Sequence, residues 1–154
     1  MSNFLVSRYS GTQIMILKFG VVADYAGQGA AGKAILVGIF DTLFSTQNKA
    51  TIIAPAFFLF AKIEAHVTEG TDHKATIHIT TGDGGDLPKP VRLELPFKFA
   101  PRGPGRPMEG NLIMGINGLP LPGNGTYEIN ILMDGHHLGS IPLYVADASQ
   151  APKS

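Results

Sequence analysis

The sequence predicts an all-β protein, an antiparallel two-sheet β-sandwich of about eight strands, with a closed β-barrel as the alternative. Apolar and polar residues alternate with period two in nearly every segment, which is typical of half-buried strands. No segment sustains the periodicity of a helix. Turns rich in glycine, proline and aspartate separate the alternating segments, and this spacing favours short strands that form antiparallel sheets.

Each predicted strand carries a row of apolar residues that would face the core. The first two rows flank a glycine-rich loop, and the third is apolar on both faces in its first half. The dipeptide Asp134-Gly135 indicates a tight hairpin between the last two. The eight rows lie at residues 15–21, 35–43, 55–67, 75–79, 91–95, 112–116, 127–133 and 141–145.

The composition limits the classes of partner. The chain has 154 residues, and its twelve Lys and Arg residues balance its twelve Asp and Glu residues. It therefore has no overall field to attract it to nucleic acid or to an anionic membrane. The absence of cysteine excludes disulfides, thiolate metal sites and cysteine catalysis. We expect no cofactor. We also expect a cytoplasmic location, because no segment approaches the ~20 apolar residues of a membrane helix.

The same patterns predict one domain. We expect an N-terminal extension at residues 1–12, a single β-sandwich domain at residues 13–146 and a flexible C-terminal tail at residues 147–154.

The loop from Gly27 to Lys33 resembles two nucleotide-binding motifs, G-x-x-x-x-G-K and G-x-G-x-x-G. Both motifs must open a helix, whereas the residues after Lys33 are rich in β-branched and aromatic side chains. Ala34 also stands where a phosphate-binding loop needs a hydroxyl for magnesium. We therefore interpret the loop as a hairpin connection, with nucleotide binding as the less favoured alternative.

Several short motifs recur along the chain: ADxA at 23–26, GK at 32–33, GxFDTxF at 38–44, GxY at 125–127, DG at 134–135 and IPLxV at 141–145. Together they resemble a family of small uncharacterised bacterial β-sandwich proteins. The resemblance covers about residues 15–146 and implies a compact β-sandwich with no established activity.

The histidines offer one candidate metal site. His66 and His78 lie on the polar faces of the third and fourth predicted strands, and they would face each other if those strands pair. Glu64 is the third possible ligand, two positions along the same face. The alternative is an ordinary polar pair on a solvated face. His73 is expected to be solvated at the edge of a loop.

A second, weaker candidate is a calcium site. Asp83 and Asp86 lie in a glycine-rich turn, and clustered carboxylates in sandwich loops can bind calcium. Asp72 or Glu69 could help only if their loop lies at the same end. The alternative is an ordinary turn built from aspartate and glycine.

A basic segment is the candidate partner-binding site. Residues 89–109 contain five positive and two negative side chains. Arginines in a proline-stiffened loop could hold an acidic partner through paired hydrogen bonds. The alternative is a solvated connection. The candidate residues are Arg92, Lys98, Arg102 and Arg106.

The run from Phe57 to Phe60 places bulky side chains on both faces of one strand. One face must then be covered by another part of the chain or by a second copy in a homodimer. Taken together, the sequence predicts a non-catalytic binding or structural module with a protein partner. The alternatives are a metal-dependent enzyme or metal-binding protein using His66 and His78, and nucleotide binding at the Gly27 loop.

Overall fold

Strands account for most of the chain in the computed structural model, which describes residues 14–46 and 51–153. The described residues form eleven strands and three single 3-10 turns. The strands are β1 (Met15–Gln28), β2 (Ala34–Phe40), β3 (Thr42–Ser45), β4 (Ile52–Ile53), β5 (Phe57–Ala65), β6 (Asp72–Thr81), β7 (Asp86–Lys98), β8 (Met108–Ile116), β9 (Pro120–Leu121), β10 (Gly125–Met133) and β11 (His136–Asp147).

The strands form two main sheets that pack face to face. Sheet A has the order β2-β1-β5-β8, and sheet B has the order β3-β11-β10-β6-β7. The short strands β4 and β9 form a separate two-stranded ladder. No sheet formed by the described strands closes on itself, so the predicted sandwich is confirmed and the barrel alternative is not.

Two details differ from the eight-stranded antiparallel prediction. The second predicted strand divides at Asp41, where the chain leaves sheet A and enters sheet B as β3. Because β3 arrives by this crossing, it pairs with β11 in parallel, from Thr42 opposite Tyr144 onwards. Strands β4 and β9 have two residues each, too few to show a periodic pattern.

The core lies between the inward rows of the two sheets. Leu59 and Ile63 of sheet A and Ile77 and Ile129 of sheet B are each 0% exposed. Burying such a side chain contributes about 1.5–3 kcal/mol relative to leaving it exposed. The predicted rows at 75–79 and 127–133 therefore belong to the core, whereas the predicted row at 35–43 does not, because Ile35, Val37 and Ile39 are 50%, 55% and 57% exposed.

Tyr127 anchors the chain where it enters β10. Its ring is buried, and its hydroxyl donates a hydrogen bond to the Gly123 carbonyl at 2.5 Å. Burial raises the pKa of the Tyr127 hydroxyl, and the Gly123 hydrogen bond opposes that shift without cancelling it. A tyrosine that binds backbone a few residues upstream at the start of a strand is a recurrent device of Greek-key sandwiches.

The β1–β2 hairpin bends back over the outer face of sheet A. β1 pairs with β5 only as far as Ala23, and the hairpin continues beyond that point. At its tip, the carbonyl of Gly32 accepts a hydrogen bond of 3.2 Å from Asn111 Nδ2. Asn111 lies in β8, two strands away from β1 in the sheet order. The tip therefore returns across β5 to reach β8.

This bend explains the two apolar faces of β5. Phe57 and Leu59 point into the core, whereas Phe60 is only 1% exposed although it lies outside the core cluster. The ring of Tyr25, in the hairpin, contacts Phe58 edge-on at 5.3 Å between centroids. The hairpin thus covers the outer face of β5, which agrees with the predicted alternative that another part of the chain covers this face.

The chain ends are described in part. The predicted extension at residues 1–12 lies outside the described residues. Asp147 still belongs to β11, and its carboxylate caps the 3-10 turn Ala148–Gln150 by accepting from the Ser149 N–H at 2.8 Å. None of the described helical segments has the length and apolar character needed to span a bilayer.

Candidate functional site

A cavity of about 300 Å³, here called the tip cavity, lies between the tip of the β1–β2 hairpin and the start of β8. Three separate segments form it: the hairpin tip, the β7–β8 connection and the first half of β8. Its lining residues are Gln28, Ala31, Gly32, Lys98, Ala100, Arg102, Glu109, Gly110 and Asn111.

Asn111 is the polar centre of the tip cavity. Its Nδ2 donates to the Gly32 carbonyl at 3.2 Å and approaches Gln28 Oε1 at 3.5 Å. Its Oδ1 is buried and has no hydrogen-bond partner in the described part of the chain. Because the Gly32 carbonyl can only accept, it orients the Asn111 amide with Nδ2 towards the hairpin tip and Oδ1 away from it. A buried unpaired acceptor costs about 1–3 kcal/mol, so a donor from a ligand would be stabilised there.

Charged side chains form a network on the outer face of sheet A beside the cavity. The Arg102 guanidinium lies 3.5 Å from Glu64 Oε2 and 3.4 Å from Glu109 Oε2, and its Nε donates to the Pro107 carbonyl. Lys62 Nζ lies 3.2 Å from Glu109 Oε1, and Lys18 Nζ lies 3.3 Å from Glu64 Oε2. Three cations thus share two carboxylates, which leaves an excess positive charge on this wall.

The structure brings two of the four predicted basic residues together. Lys98 and Arg102 both line the tip cavity. The Lys98 Nζ lies 3.5 Å from Asp72 Oδ1, but the Lys98 side chain is 75% exposed and is therefore accessible to a ligand. Arg106 is exposed in the β7–β8 connection, and Arg92 lies on sheet B opposite His78. The predicted basic site is therefore divided, with one part at the cavity.

The predicted facing of His66 and His78 is wrong. His66 lies between β5 and β6, and these two strands belong to different sheets. β6 pairs with β10 and β7, and it does not pair with β5. His66 caps the 3-10 turn Val67–Glu69 through Thr68, and Glu64 contacts Lys18 and Arg102. No cluster of three or more His, Asp or Glu side chains suited to a metal occurs among residues 14–46 and 51–153.

The predicted calcium pair also points apart. The Asp83 carboxylate accepts from Thr81 Oγ1 and from the Gly85 N–H, and the Thr81 bond is the main reason that its pKa is lowered. The Asp86 Oδ1 instead lies 2.9 Å from His78 Nε2. Asp72 begins β6 while Asp83 follows its end, so the proposed helper is at the opposite end of that strand. The geometry is that of an ordinary turn.

The loop from Gly27 to Lys33 is a hairpin connection, as predicted. β1 pairs antiparallel with β2 up to Gln28 opposite Ala34, and the 3-10 turn Ala30–Gly32 closes the hairpin. Ala31 and Gly32 both have positive φ angles, 58° and 72°. The strand β2 follows directly, so the loop opens no helix whose N-terminus could hold a phosphate.

Sequence reasoning missed two groups of polar residues. Gln28 and Asn111 meet at the tip cavity although 83 positions separate them, and no local pattern indicates such a contact. His73, expected to be solvated, has a side chain only 5% exposed, with Nδ1 bonded to Asp134 Oδ2 at 2.5 Å. The hairpin signal at Asp134 was visible, but its contact with His73, 61 residues away, was not.

A third polar cluster lies on the outer face of sheet B. Ser140 Oγ donates to Asn130 Oδ1 at 2.7 Å, and His137 Nε2 lies 3.2 Å from Ser140 Oγ and 3.1 Å from Asn130 Oδ1. These contacts join the neighbouring strands β10 and β11, and Ser140 Oγ donates to an amide oxygen.

Comparisons with known proteins identify a family for this chain but no activity. No curated protein matches the chain significantly. Among solved structures, the β-glucosidase from Listeria innocua in complex with isofagomine aligns with a TM-score of 0.46 at 5% identity, over 87% of this chain. The same enzyme in complex with glucose aligns with a TM-score of 0.45 at 5% identity, over 88% of this chain.

This chain spans only 16% of the length of each β-glucosidase chain, and similarity at this level transfers neither fold details nor activity. The family comparison covers much more of the sequence, since one family model matches residues 18–146. The chain therefore belongs to the family of unknown function DUF6941.

Proposed function

We propose that the protein is a non-catalytic binding module that holds an acidic segment of a partner protein in the tip cavity. One observation carries the proposal: a buried carbonyl oxygen, Asn111 Oδ1, lies without a partner in the described part of the chain, in a cavity whose charged lining of Lys98, Arg102 and Glu109 has an excess of positive charge. A ligand that satisfies both features must combine a hydrogen-bond donor with negative charge. An acidic peptide has both, in its backbone N–H groups and its carboxylates.

The charge network supports an anionic ligand in a specific way. The Arg102 guanidinium is already oriented by Glu64, Glu109 and the Pro107 carbonyl, so less side-chain entropy is lost when a ligand carboxylate approaches it. Lys98 provides a second, exposed cation in the lining of the cavity. Because these groups are partly exposed, binding should weaken as salt is raised.

The test is a titration followed by two-dimensional NMR of the labelled full chain. The probe is the peptide acetyl-Gly-Glu-Gly-Glu-Gly-amide, and its counterpart with glutamine in place of glutamate removes the charge alone. We expect the acidic peptide to shift the amide signals of Gln28, Gly32 and Asn111, including the Asn111 side chain, with a dissociation constant of about 1 mM. The glutamine peptide should bind more weakly and without salt dependence.

Strand β7 provides a matched pair of variants. Lys98→Ala and Arg92→Ala remove the same charge from the same strand, but only Lys98 lines the cavity. We expect Lys98→Ala to weaken binding of the acidic peptide and Arg92→Ala to leave it unchanged. Equal affinity for both peptides, or shifts that map elsewhere on the protein, would refute the proposal.

Two further properties belong to this proposal. We propose a cytoplasmic location and a bacterial origin, on the grounds of composition and of the family resemblance given above.

A further inference from the structure

Strand β2 is an unusual sheet edge because it lacks the prolines and charges that prevent edge-to-edge pairing, and its one irregularity is Gly38, with a φ of 69°. The main sheets end at β2, β8, β3 and β7. Edge strand β7 contains three prolines and four charged residues after its first position, and β3 has only four residues. β8 is bridged at its start by Ala100 opposite Glu109. By contrast, the seven residues of β2 include neither proline nor charge.

The side chains of β2 also form an exposed apolar row. Ile35, Val37 and Ile39 are 50%, 55% and 57% exposed. Within the described residues, the backbone of Ala34–Phe40 makes no hydrogen bonds other than those in the β1–β2 ladder. A free ladder edge next to a row of aliphatic side chains is the arrangement that accepts an added strand.

We propose that the occupant of this edge is β2 of a second copy of the chain, paired antiparallel about a twofold axis at Val37. In that register Ile35 of each copy lies opposite Ile39 of the other. The charged residues that flank the strand then match as well, because Lys33 and Asp41 are each four positions from Val37. Lys33 of each copy lies opposite Asp41 of the other, at both ends of the pairing.

Charge complementarity selects this occupant and this register. A parallel pairing would place Lys33 opposite Lys33, and a shifted antiparallel register would separate at least one of the two opposite charges. Lys33 makes no ion pair with another described residue, and the Asp41 carboxylate accepts only a hydrogen bond from its neighbour Thr42 at 2.7 Å among the contacts described. Both charges are therefore available to a second copy.

The interface is small, so the dimer should be weak. One pair of seven-residue strands with flanking side chains buries less surface than a stable interface of about 1,600 Å². We expect a reversible monomer–dimer equilibrium in the micromolar to millimolar range, measured by sedimentation equilibrium of the full chain over a wide concentration range.

A charge-swap cycle tests the register. Lys33→Asp alone, or Asp41→Lys alone, replaces both symmetric ion pairs with like-charge contacts and should raise the dissociation constant about three- to thirtyfold. The double variant Lys33→Asp/Asp41→Lys restores two opposite-charge pairs and should recover the original constant. Val37→Lys places two like charges at the axis and should leave only monomer.

Two controls keep the result interpretable. Leu93→Lys alters an exposed aliphatic residue of sheet B, and it should not change association. Far-UV circular dichroism melts show which variants remain folded. A wild-type chain that stays monomeric at millimolar concentration, or single swaps that associate as well as the double variant, would overturn the proposal. Because the cavity residues are unchanged, peptide binding by Val37→Lys tests the proposed function separately.

Discussion

The contact between His73 and Asp134 makes the stability of this protein depend on pH in a predictable direction. His73 Nδ1 lies 2.5 Å from Asp134 Oδ2, and Nε2 lies 2.9 Å from the Gly70 carbonyl oxygen. A carboxylate and a carbonyl only accept hydrogen bonds, so both ring nitrogens must donate. With Asp134 ionised, this arrangement favours the doubly protonated, cationic imidazole.

The pKa shifts of the pair follow from this geometry. Burial by itself lowers the pKa of His73, but the hydrogen bonds to Asp134 and Gly70 and the nearby carboxylates of Asp134 and Glu69 raise it above 6.5. Burial by itself raises the pKa of Asp134, but hydrogen bonds from His73 and from the Lys74 N–H lower it below 3.8. Each shift favours the charged form in the folded state.

These directions set the pH window. A raised histidine pKa contributes stability that is complete below the unfolded value of 6.5 and is lost as pH rises through the folded pKa. A lowered aspartate pKa contributes stability that is present above 3.8 and is lost as pH falls through the folded pKa. The pair should therefore stabilise the fold most between pH 3.8 and pH 6.5.

The perturbation is Asp134→Asn. Asparagine keeps the size of the side chain and tolerates the positive φ of 51° at this position, so the main change is the loss of charge. Asp134 is one-third exposed, whereas the His73 side chain is 5% exposed. A charge-assisted hydrogen bond in this partly screened setting contributes about 1–2 kcal/mol. We expect a loss of that size at about pH 5.5, and a much smaller loss at about pH 9.

Urea denaturation followed by circular dichroism measures this, because the chain has no tryptophan for fluorescence. The other four histidines are unchanged in the variant, but His136 also interacts with the Asp134 charge, so the effect must be assigned to His73 by a separate measurement. A direct check is the NMR titration of the His73 ring. A stability difference that does not vary with pH, or a His73 pKa at or below 6.5, would contradict the expected ion pair.

Three other substitutions have expected effects on the free energy of unfolding, each measured by urea denaturation at neutral pH. Tyr127→Phe removes the hydrogen bond to the Gly123 carbonyl and should cost about 1–2 kcal/mol, and an unchanged midpoint would show that this contact is not stabilising. Gly38→Ala forces a side chain into a φ of 69° and against the Asp24 carboxylate, so we expect a loss of about 1–3 kcal/mol; a neutral result would contradict the left-handed backbone at this position. Ile129→Ala opens a cavity between the sheets and should cost about 2–5 kcal/mol, with a loss below 1 kcal/mol contradicting its central position.

From the sequence alone, most of the strands could be predicted, together with the inward face of several of them, but not that of β2, whose predicted core row is exposed. Alternation is a local property, because successive side chains of a strand point to opposite faces whatever the partner strand is. The rows at 75–79 and 127–133 were therefore found correctly as the inward faces of β6 and β10. The hairpin at Gly27 to Lys33 was also found, since a short glycine-rich loop between two strands leaves few other connections.

Only the tertiary structure decided which strands pair and where polar side chains meet. The chain crosses between sheets at Asp41 and again between β5 and β6, and the second crossing separates His66 from His78. Partner choice depends on how whole apolar faces fit together, and neighbouring residues do not encode it. The contacts of Asn111 with the hairpin tip and of His73 with Asp134 join residues 79 and 61 positions apart. They exist because the hairpin folds back over β5 and because β6 lies beside β10, and both are properties of the packed sandwich.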